Sequence, residues 1–464
     1  MTGDPERPDQ PAGAVEPAAG PAPAHAAPPA GNGWKGSRVA LDFTVELSLE
    51  RRPRRARKRR PAATAVVVAL PPPSASVLTG IVTGGMAFGQ QYLFVLSALA
   101  PFIVSELSLS RSSFGAVITL SYVATVGLSL LTGGLVDVVG GRRALGALLV
   151  IVPASLLVTA LAPNYPALLA AAVVAGVGQA FSLPSTNKLV ATHVPGERQS
   201  AAIGIKQSGV QLGALLSGLV LPTLAVALGW RGALSLVALA PLVLLPVLLW
   251  FVPVDAPVGP QRLLRLPGLP SGPTRWLMAY SLLLGSGTAA TNSFLPLYAH
   301  DALGLTEAQA GIVLAVVGIS GVLARIVWTM VSDRMRDASL ALAMLAVAAV
   351  AFAVVVSLAA RLGIVVLWLG ALGLGASAVA GNAVSTLMVV RESGLRRMGE
   401  TSALVGMSFF AGFVVSPPLF GALTDATGSY GAGWLMVSVL FAGAAAVSAT
   451  FHHLRSRIPS TSRL

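Results

Sequence analysis

The stretch GGLVDVVGGRR, at residues 133–143, decides the fold together with a partial copy, WTMVSDRMR, at residues 328–336. Each stretch lies at the end of an apolar segment and contains an aspartate followed by basic residues. Repetition of this kind is typical of membrane proteins built from two parallel bundles of helices. The sequence therefore predicts a duplicated, helical membrane protein.

Apolar blocks of about 20 residues surround both stretches, and each block is long enough to cross the ~30 Å hydrocarbon layer as an α-helix. We predict twelve spans: 78–104, 113–135, 143–162, 166–192, 200–226, 231–252, 275–299, 308–331, 338–360, 363–390, 402–424 and 431–452. The predicted fold class is an all-α membrane protein of twelve transmembrane helices, arranged as two pseudo-symmetric six-helix bundles.

The domain organisation follows from these spans. The first bundle covers residues 77–252 and the second covers residues 275–454. Between them, residues 253–274 form the widest gap, which is rich in proline and is predicted to be a central cytoplasmic loop. A short cytoplasmic tail, residues 455–464, is predicted after the last span.

Residues 1–76 differ in composition from the rest of the chain. Residues 11–29 form a Pro/Ala tract without apolar periodicity, which predicts disorder because such a segment cannot bury a core. Residues 51–60, RRPRRARKRR, contain eight basic residues. Three interpretations stay open: a juxtamembrane segment attracted to anionic lipid, a solvated tail, or upstream sequence that is not translated. A signal peptide is excluded, because the segment is too long and contains acids.

The composition limits the kinds of chemistry. The chain has 464 residues, of which 55% are hydrophobic and 11% are charged. Soluble domains usually carry about 25% charged residues, so this composition favours a protein of the lipid bilayer. The chain has no cysteine, and its five histidines lack the spacing of a metal site. Disulfides and thiol nucleophiles are excluded, and we expect no cofactor and no metal.

The net charge of +13 indicates topology rather than nucleic-acid binding, because the basic residues of the body lie almost entirely between apolar blocks. With the N-terminus in the cytoplasm, fourteen arginines fall on the cytoplasmic side, and only Arg111, Arg231 and Arg361 fall outside. The positive-inside rule then predicts a multi-pass protein of the cell inner (cytoplasmic) membrane with both termini in the cytoplasm. No nucleic-acid partner is expected.

The first stretch resembles the hallmark of the major facilitator superfamily, G-x3-D-(R/K)-x-G-x-(R/K)-(R/K). Five positions match: Gly133, Asp137, Gly140, Arg142 and Arg143. Val138 replaces the first basic residue. The second copy keeps Asp333 and Arg334 but has Thr329 in place of the glycine.

This resemblance implies a secondary transporter whose two halves rock around a central cavity. It also implies that Asp137, Arg142 and Arg143 form a latch for the outward-facing state. Gly133 would let its helix pack closely on the other half, and Asp137 would pair with an arginine or face a helix N-terminus. The alternative is that Arg142 and Arg143 only anchor the topology.

The sequence of the fifth predicted helix helps to choose among the branches of the superfamily. In the superfamily's proton antiporters this helix carries a Gly-Pro pair, whereas here residues 204–213 read GIKQSGVQLG, with Val210 in the place of the proline. Drug/proton antiport is thereby disfavoured. The stretch is similar to the fifth helix of cyanate-transporter-like and related anion-handling branches.

Charged side chains are costly inside a membrane, so each deep one is a candidate functional residue. Three are present, Lys188, Lys206 and Arg325, and no aspartate or glutamate lies deep. Cations without carboxylates favour an anionic solute. For Lys188, which is nearer a helix end, snorkelling to the headgroups is the leading interpretation, and for Lys206 it is the alternative. For Arg325 the alternative is that it braces backbone carbonyls or another polar residue instead of gripping an oxyanion.

Polar uncharged residues complete the candidate binding site. In the superfamily the first, fourth, seventh and tenth helices line the cavity, which adds candidates outside the fifth helix. The predicted substrate-binding residues are Lys206, Arg325, Gln207, Gln211, Gln91, Tyr92, Asn292 and Asn382. For each uncharged residue the alternative is an interhelical hydrogen bond worth less than ~1 kcal/mol.

Together these features predict a secondary active transporter of a small solute, with an anion preferred, that works by alternating access. An efflux pump for hydrophobic compounds is the alternative. An enzyme is not expected, because the sequence offers no deep nucleophile, histidine or carboxylate. The expected partners are the small-molecule solute, a proton as a candidate co-substrate, and the lipid bilayer. A monomer is sufficient for this function.

Overall fold

The structure is a computed structural model that describes residues 74–254, 270, 272–335, 337–392 and 394–456. Almost all of the predicted N-terminal tail (1–76) and most of the central loop (253–274) lie outside these residues. The same holds for most of the C-terminal tail (455–464). Those predictions stay predictions.

Every regular element in the described part of the chain is a helix. The helices of the first half are α1 (Ala75–Ala98), α2 (Ala100–Glu106), α3 (Arg111–Val139), α4 (Gly141–Ala160), α5 (Tyr165–His193), α6 (Gly196–Val237) and α7 (Ala240–Phe251). The helices of the second half are α8 (Gly272–Leu303), α9 (Glu307–Arg334), α10 (Ala338–Leu362), α11 (Ile364–Leu374), α12 (Ala380–Glu392), α13 (Gly394–Thr427) and α14 (Tyr430–Ser456). A π-helical turn, Gly375–Val379, joins α11 to α12.

Each of the twelve predicted spans coincides with described helical residues. α1 and α2 make one crossing with a bend of 58°, and α11, the π turn and α12 make another. α6 contributes to two crossings, because Gly229 has a φ of +70° that breaks it. Nine described helical stretches are individually long and apolar enough to span a membrane, whereas the 32-residue α8 is richer in small polar residues. The predicted fold class is confirmed.

Local sequence explains where several crossings begin. The side chains of Ser110, Asn164 and Thr306 cap the first turns of α3, α5 and α9 by accepting backbone N–H groups, as N-cap residues do. Gly140 separates α3 from α4 without any loop, at a φ of +89°. Only glycine adopts that conformation readily, which gives this position of the repeated motif a structural reason.

The two halves contact each other most extensively along two helix pairs, α3 with α13 and α6 with α9, and α1 adds a smaller contact with α8. Glycine makes the two larger contacts possible. A Cβ on Gly115 of α3 would lie 2.8 Å from the Cα of Pro418, and a Cβ on Gly218 of α6 would lie 2.7 Å from the backbone nitrogen of Ala315. Small residues are what allow membrane helices to approach so closely. We call the two ends of the bundle the Arg111 end, where α3 begins, and the Arg142 end, where α4 begins.

Candidate solute-binding site and gates

Lys206 lies wholly inside the first half. Its side chain has no exposed surface, and Nζ donates a hydrogen bond of 2.9 Å to Oγ1 of Thr186 on α5. That hydroxyl donates in turn to the carbonyl oxygen of Ser182, at 2.7 Å. The ammonium group therefore meets a hydroxyl rather than a carboxylate in the described chain. The snorkelling alternative is not what the structure shows, since the side chain reaches neither headgroups nor bulk water.

Arg325, on α9, connects the two halves. Only 8% of its surface is exposed, and Nη1 donates a hydrogen bond of 2.8 Å to the carbonyl oxygen of Gln207 on α6. Lys206 is the residue before Gln207, so the structure brings the two predicted cations to one level of the bundle, one from each half. A guanidinium has five donors, so bracing one carbonyl is compatible with binding an oxyanion.

Five of the predicted amide side chains share one property: within the described chain they have no hydrogen-bond partner. They are Gln91, Gln207, Gln211, Asn292 and Asn382. Nε2 of Gln91 and Oε1 of Gln211 are fully buried. A buried polar atom without a partner costs roughly 1–3 kcal/mol, and most such atoms in proteins are satisfied. A polar solute or ordered water between the halves would satisfy these amides.

The face of α1 that meets the second half carries Gln90. Gln90 and Ser97 are two helical turns apart on one side of α1, and Ser97 donates through Oγ to the backbone carbonyl of Asn292 on α8. Gln90 is buried. The sequence singled out its neighbour Gln91, which lies about 100° further around the helix. Only the rotation of α1 in the bundle distinguishes the two residues.

Tyr92 occupies a different environment from the other predicted binding residues. Its hydroxyl lies 3.2 Å from Oγ1 of Thr159 on α4, and the ring is buried. The contact joins two helices of the first half. In this conformation Tyr92 braces α1 against α4.

The π turn immediately precedes Asn382 and was not foreseen from the sequence. Within it, Gly375 packs so tightly on α9 that a Cβ would collide with Ser320 and Val317. Single π turns inside helices are often found at functional sites. The two glycines at 373 and 375 are the signal that could have indicated it, because both lie against bulky neighbours.

An aromatic layer fills the contact between α3 and α13. Tyr122 stacks on Phe410, with ring centroids 5.9 Å apart, and contacts Phe413 at 4.7 Å. Further toward the Arg111 end, Phe294 stacks on Phe420 at 4.5 Å. Phe294 and Phe420 both belong to the second half, and Phe294 meets Phe114 of α3 with ring centroids 5.9 Å apart, so aromatic rings line the contact between the halves. Sequence reasoning missed them, because aromatic residues in a membrane helix do not reveal their partners.

Polar contacts close the Arg111 end across the halves. Arg111 forms an ion pair of 2.7 Å with Asp301 on α8, and the hydroxyl of Tyr430 donates to the same carboxylate at 2.7 Å. Asp425 of α13 accepts the backbone N–H groups of Arg111 and Ser112, at 3.1 and 2.8 Å. A carboxylate at a helix N-terminus is favourable. The sequence placed these residues beside external loops but did not indicate that they meet.

Comparison with known proteins decides the family. The family model of the Major Facilitator Superfamily matches residues 79–401 and, in a second alignment, residues 277–463. The first match alone covers more than half of the chain. The chain belongs to the major facilitator superfamily.

Individual relatives within the superfamily are distant. The chain is 30% identical to the gallate transporter of Pseudomonas putida over 164 residues, which are 35% of this chain and 36% of that protein. It is 24% identical to the probable sulfoacetate transporter SauU of Cupriavidus necator over 388 residues, or 77% and 88% of the two chains. The match to the gallate transporter thus spans about a third of that relative's length.

A solved structure of the superfamily has the same fold. It is a bacterial homologue of the human lysosomal transporter Spinster, in an inward-facing and occupied conformation. The TM-score is 0.64 at 15% identity, over 84% of this chain and 97% of that chain. At this identity the similarity concerns the fold alone.

The superfamily motif after α3 has an ion pair that the sequence did not indicate. Nζ of Lys188, on α5, lies 3.2 Å from Oδ1 of Asp137, and both side chains are partly exposed. Both residues belong to the first half. Lys188, for which snorkelling was the leading interpretation, thus has a carboxylate partner.

The other motif residues lie as follows. Nη2 of Arg142 donates to the carbonyl oxygen of Leu249 on α7, at 2.6 Å, and Arg143 is exposed. No described atom lies within 4 Å of a Cβ built on Gly133, so its predicted close packing on the other half is not observed in this conformation. Arg334 is exposed, and the side chain of Asp333 lies outside the described residues. The latch therefore stays a prediction.

A second ion pair at the Arg142 end lies within the second half, where Nε of Arg455 is 4.0 Å from Oδ2 of Asp337. Asp337 caps α10 by accepting the N–H of Ser339 at 2.9 Å, and Nδ1 of His452 on α14 lies 3.1 Å from its Oδ2. Burial raises the pKa of Asp337, but the hydrogen bonds from Ser339 and the charge of Arg455 outweigh it and hold the pKa below its ordinary value. The carboxylate is therefore charged at neutral pH.

Proposed function

We propose that this membrane transporter carries a small organic anion by alternating access of a central site to the two sides of the membrane. The proposal depends on the charge of the interior. Among the described residues, the charged side chains with less than a tenth of their surface exposed are Lys206 and Arg325, and both are cations. Lys206 meets a hydroxyl rather than a carboxylate in the described chain, and a buried charge without a counter-ion is unfavourable, so an anion that binds near the two cations would be preferred.

Polar groups around the cations would orient that anion. We assign this role to Gln207, Gln211, Asn292 and Asn382, with Gln91 and Tyr92 as weaker candidates. The names of two relatives agree with the charge, since gallate is a carboxylate and sulfoacetate carries a carboxylate and a sulfonate. If a proton is co-transported, it would travel on the solute, because no deep carboxylate is present in the sequence.

We further propose that the Arg142 end faces the cytoplasm of a bacterial cell and that the chain resides in the inner membrane. Arginines cluster at that end of the described bundle, where they are Arg142, Arg143, Arg198, Arg275, Arg334 and Arg455. Those at the opposite end are Arg111, Arg231 and Arg361. The positive-inside rule favours this orientation.

Uptake of labelled gallate and sulfoacetate into proteoliposomes tests the assignment. The variants are Lys206→Gln and Arg325→Gln, and the matched control is Arg361→Gln, which removes an exposed cation at the Arg111 end. Because a hydrogen bond to a charged group contributes ~1.5–3 kcal/mol, each interior variant should lower uptake at subsaturating solute by about 10- to 100-fold. The control should keep the wild-type rate.

Two measurements accompany uptake. Size-exclusion chromatography verifies that the variants fold, and thermal shifts with gallate and sulfoacetate report binding directly, since a ligand of the folded state raises the melting temperature. Unchanged anion uptake after both interior cations are replaced would refute the charge assignment. Transport of hydrophobic cations in place of anions would instead support the efflux-pump alternative.

A further inference from the structure

A groove opens on the outer surface of the first half, between α4 and α7 and apart from the proposed solute site. Its volume is about 600 Å³. The residues that line it are Arg142, Arg143, Gly146, Ala147, Val150 and Ile151 on the α4 side, and Leu245, Leu249 and Val254 on the α7 side. We call it the α4–α7 groove. Apart from the two arginines, every lining side chain is apolar or absent.

The two arginines lie together at one end of the groove. They are the second and third residues of α4, and the bond from Arg142 to the carbonyl oxygen of Leu249 ties that end of α4 to α7. The side chain of Arg143 is exposed. Anions are favoured near the first turn of a helix, where N–H groups lack intrahelical partners. The charged end of the groove is therefore suited to an anion.

Aromatic side chains indicate the depth of this end in the membrane. Trp250 and Phe251, at the end of α7, are 70% and 43% exposed. Tryptophan is enriched at the boundary between hydrocarbon and headgroups. The arginines thus lie at the headgroup level, and Gly146, Val150 and Leu245 extend from them along the hydrocarbon.

We propose that the α4–α7 groove binds one anionic glycerophospholipid. Its phosphate contacts Arg142 and Arg143, and one acyl chain lies along the apolar residues of the groove. Charge complementarity selects this occupant: a neutral lipid leaves the exposed guanidinium of Arg143 without an anion, and a soluble anion leaves the apolar length of the groove unfilled. In the second half, α10 begins with Ala338, Ser339 and Leu340, so no equivalent arginine pair exists there.

Native mass spectrometry of the purified full-length chain tests the proposal. The protein is delipidated in detergent and offered phosphatidylglycerol and phosphatidylcholine with identical acyl chains in equal amounts. A basic residue near a membrane surface favours an anionic lipid by about fivefold. The wild type should therefore hold one phosphatidylglycerol with a preference of more than tenfold, if both arginines contribute.

The deciding charge variant is Arg143→Gln, because Arg142 also holds the carbonyl of Leu249 and its loss affects the helix contact. Arg143→Gln should lower the preference by about fivefold. Arg198→Gln, which removes an exposed arginine at the same end of the bundle, should leave it unchanged. Ala147→Phe fills the groove and should abolish the tightly held lipid, whereas Ala351→Phe, at an exposed position of α10, should not.

The proposal would be overturned if the wild type retained the two lipids equally, or if Arg143→Gln left the preference intact. It would also be overturned if lipid binding survived Ala147→Phe, or if soluble glycerol phosphate competed fully. The last outcome would assign the arginines to a free anion. A dimer that Ala147→Phe dissociates, with lipid binding unchanged, would assign the groove to a second copy of the chain and also contradict the proposal.

Discussion

The two ends of the bundle are held together in different ways. At the Arg111 end, several described polar contacts join the first half to the second: Arg111 pairs with Asp301, and Asp425 accepts backbone N–H groups of α3. Arg231 and Glu106, at the same end, pair within the first half. At the Arg142 end, the described ion pairs stay within one half. Lys188 pairs with Asp137 in the first half, and Arg455 pairs with Asp337 in the second.

This difference has a mechanical consequence. When two rigid halves rock, contacts within a half can persist, whereas contacts between the halves must break on one side of the membrane. The Arg111 end therefore carries the contacts that a rocking motion has to break, and the pairs at the Arg142 end keep each half rigid. Because the chain has no cysteine, single-cysteine labelling can measure the separation of the halves without background.

The reporter for the Arg111 end is Thr119→Cys. Oγ1 of Thr119, on α3, donates to the carbonyl oxygen of Val414 on α13 at 2.8 Å, so the position lies inside the contact between the halves. The position is partly buried in this structure, and a maleimide reagent should label it faster when α3 and α13 separate. The labelling rate of this cysteine is thus a measure of how often the Arg111 end opens.

The largest effect is expected from Gly421→Leu on α13. A Cβ at Gly421 would collide with the backbone of Arg111, so a leucine has to push α3 away. Overpacking costs ~1–3 kcal/mol, which should raise the labelling rate of the reporter by about 10-fold or more. The neighbouring Ala422→Leu places the same side chain at an exposed position and should leave the rate near that of the wild type. A rate equally low in both variants would mean that this glycine does not hold the halves together.

A smaller effect is expected from Arg111→Gln. The ion pair with Asp301 is partly exposed, with 39% and 22% of the two side chains accessible, and such pairs contribute ~0.2–1 kcal/mol. The reporter should be labelled faster by a factor of about 1.4 to 5. Arg231→Gln is the matched control, because Arg231 lies at the same end but pairs with Glu106 of its own half. Equal acceleration by both variants would contradict the distinction between the two kinds of contact.

Most of the fold could be predicted from hydrophobicity, because the length of an apolar block is set by the thickness of the bilayer. The predicted span 143–162 and α4 (Gly141–Ala160) differ by two residues at each end. The predicted break between 226 and 231 contains Gly229, whose positive φ separates the crossings. The bend after α1 and the π turn were not predicted, since both depend on local packing rather than on composition.

The sequence identified which polar residues lie deep in the membrane. It did not indicate which way each side chain points around its helix, or which groups it contacts. Charge alone was enough to select Lys206 and Arg325, because every deep charge is costly. It could not indicate that Arg325 reaches the carbonyl of Gln207, nor that Lys188 meets Asp137, since both contacts depend on how helices cross. The choice between Gln90 and Gln91 likewise depends on about 100° of helix rotation.

The smallest effect on the labelling rate of the reporter is expected from Asp137→Asn. This variant tests whether opening of the Arg111 end and solute uptake can change independently. The pair with Lys188 lies within the first half, so its loss should change the labelling rate of the reporter by less than about twofold, as for a partly exposed pair. Uptake should nevertheless fall several-fold, because the proposed latch uses this carboxylate in another conformation. Lys188→Gln removes the other partner and retains the Asp137 carboxylate, and it should also leave the labelling rate of the reporter unchanged.

The labelling rate of the reporter and the rate of uptake together distinguish three outcomes. If Asp137→Asn accelerates labelling as much as Arg111→Gln does, the carboxylate acts on the closed end at a distance, and the assignment of this pair to the rigidity of one half is wrong. If uptake and labelling both keep their wild-type values at normal expression, Asp137 has no part in the transport cycle. Slow uptake together with unchanged labelling would show that the motif governs a step other than the opening of the Arg111 end.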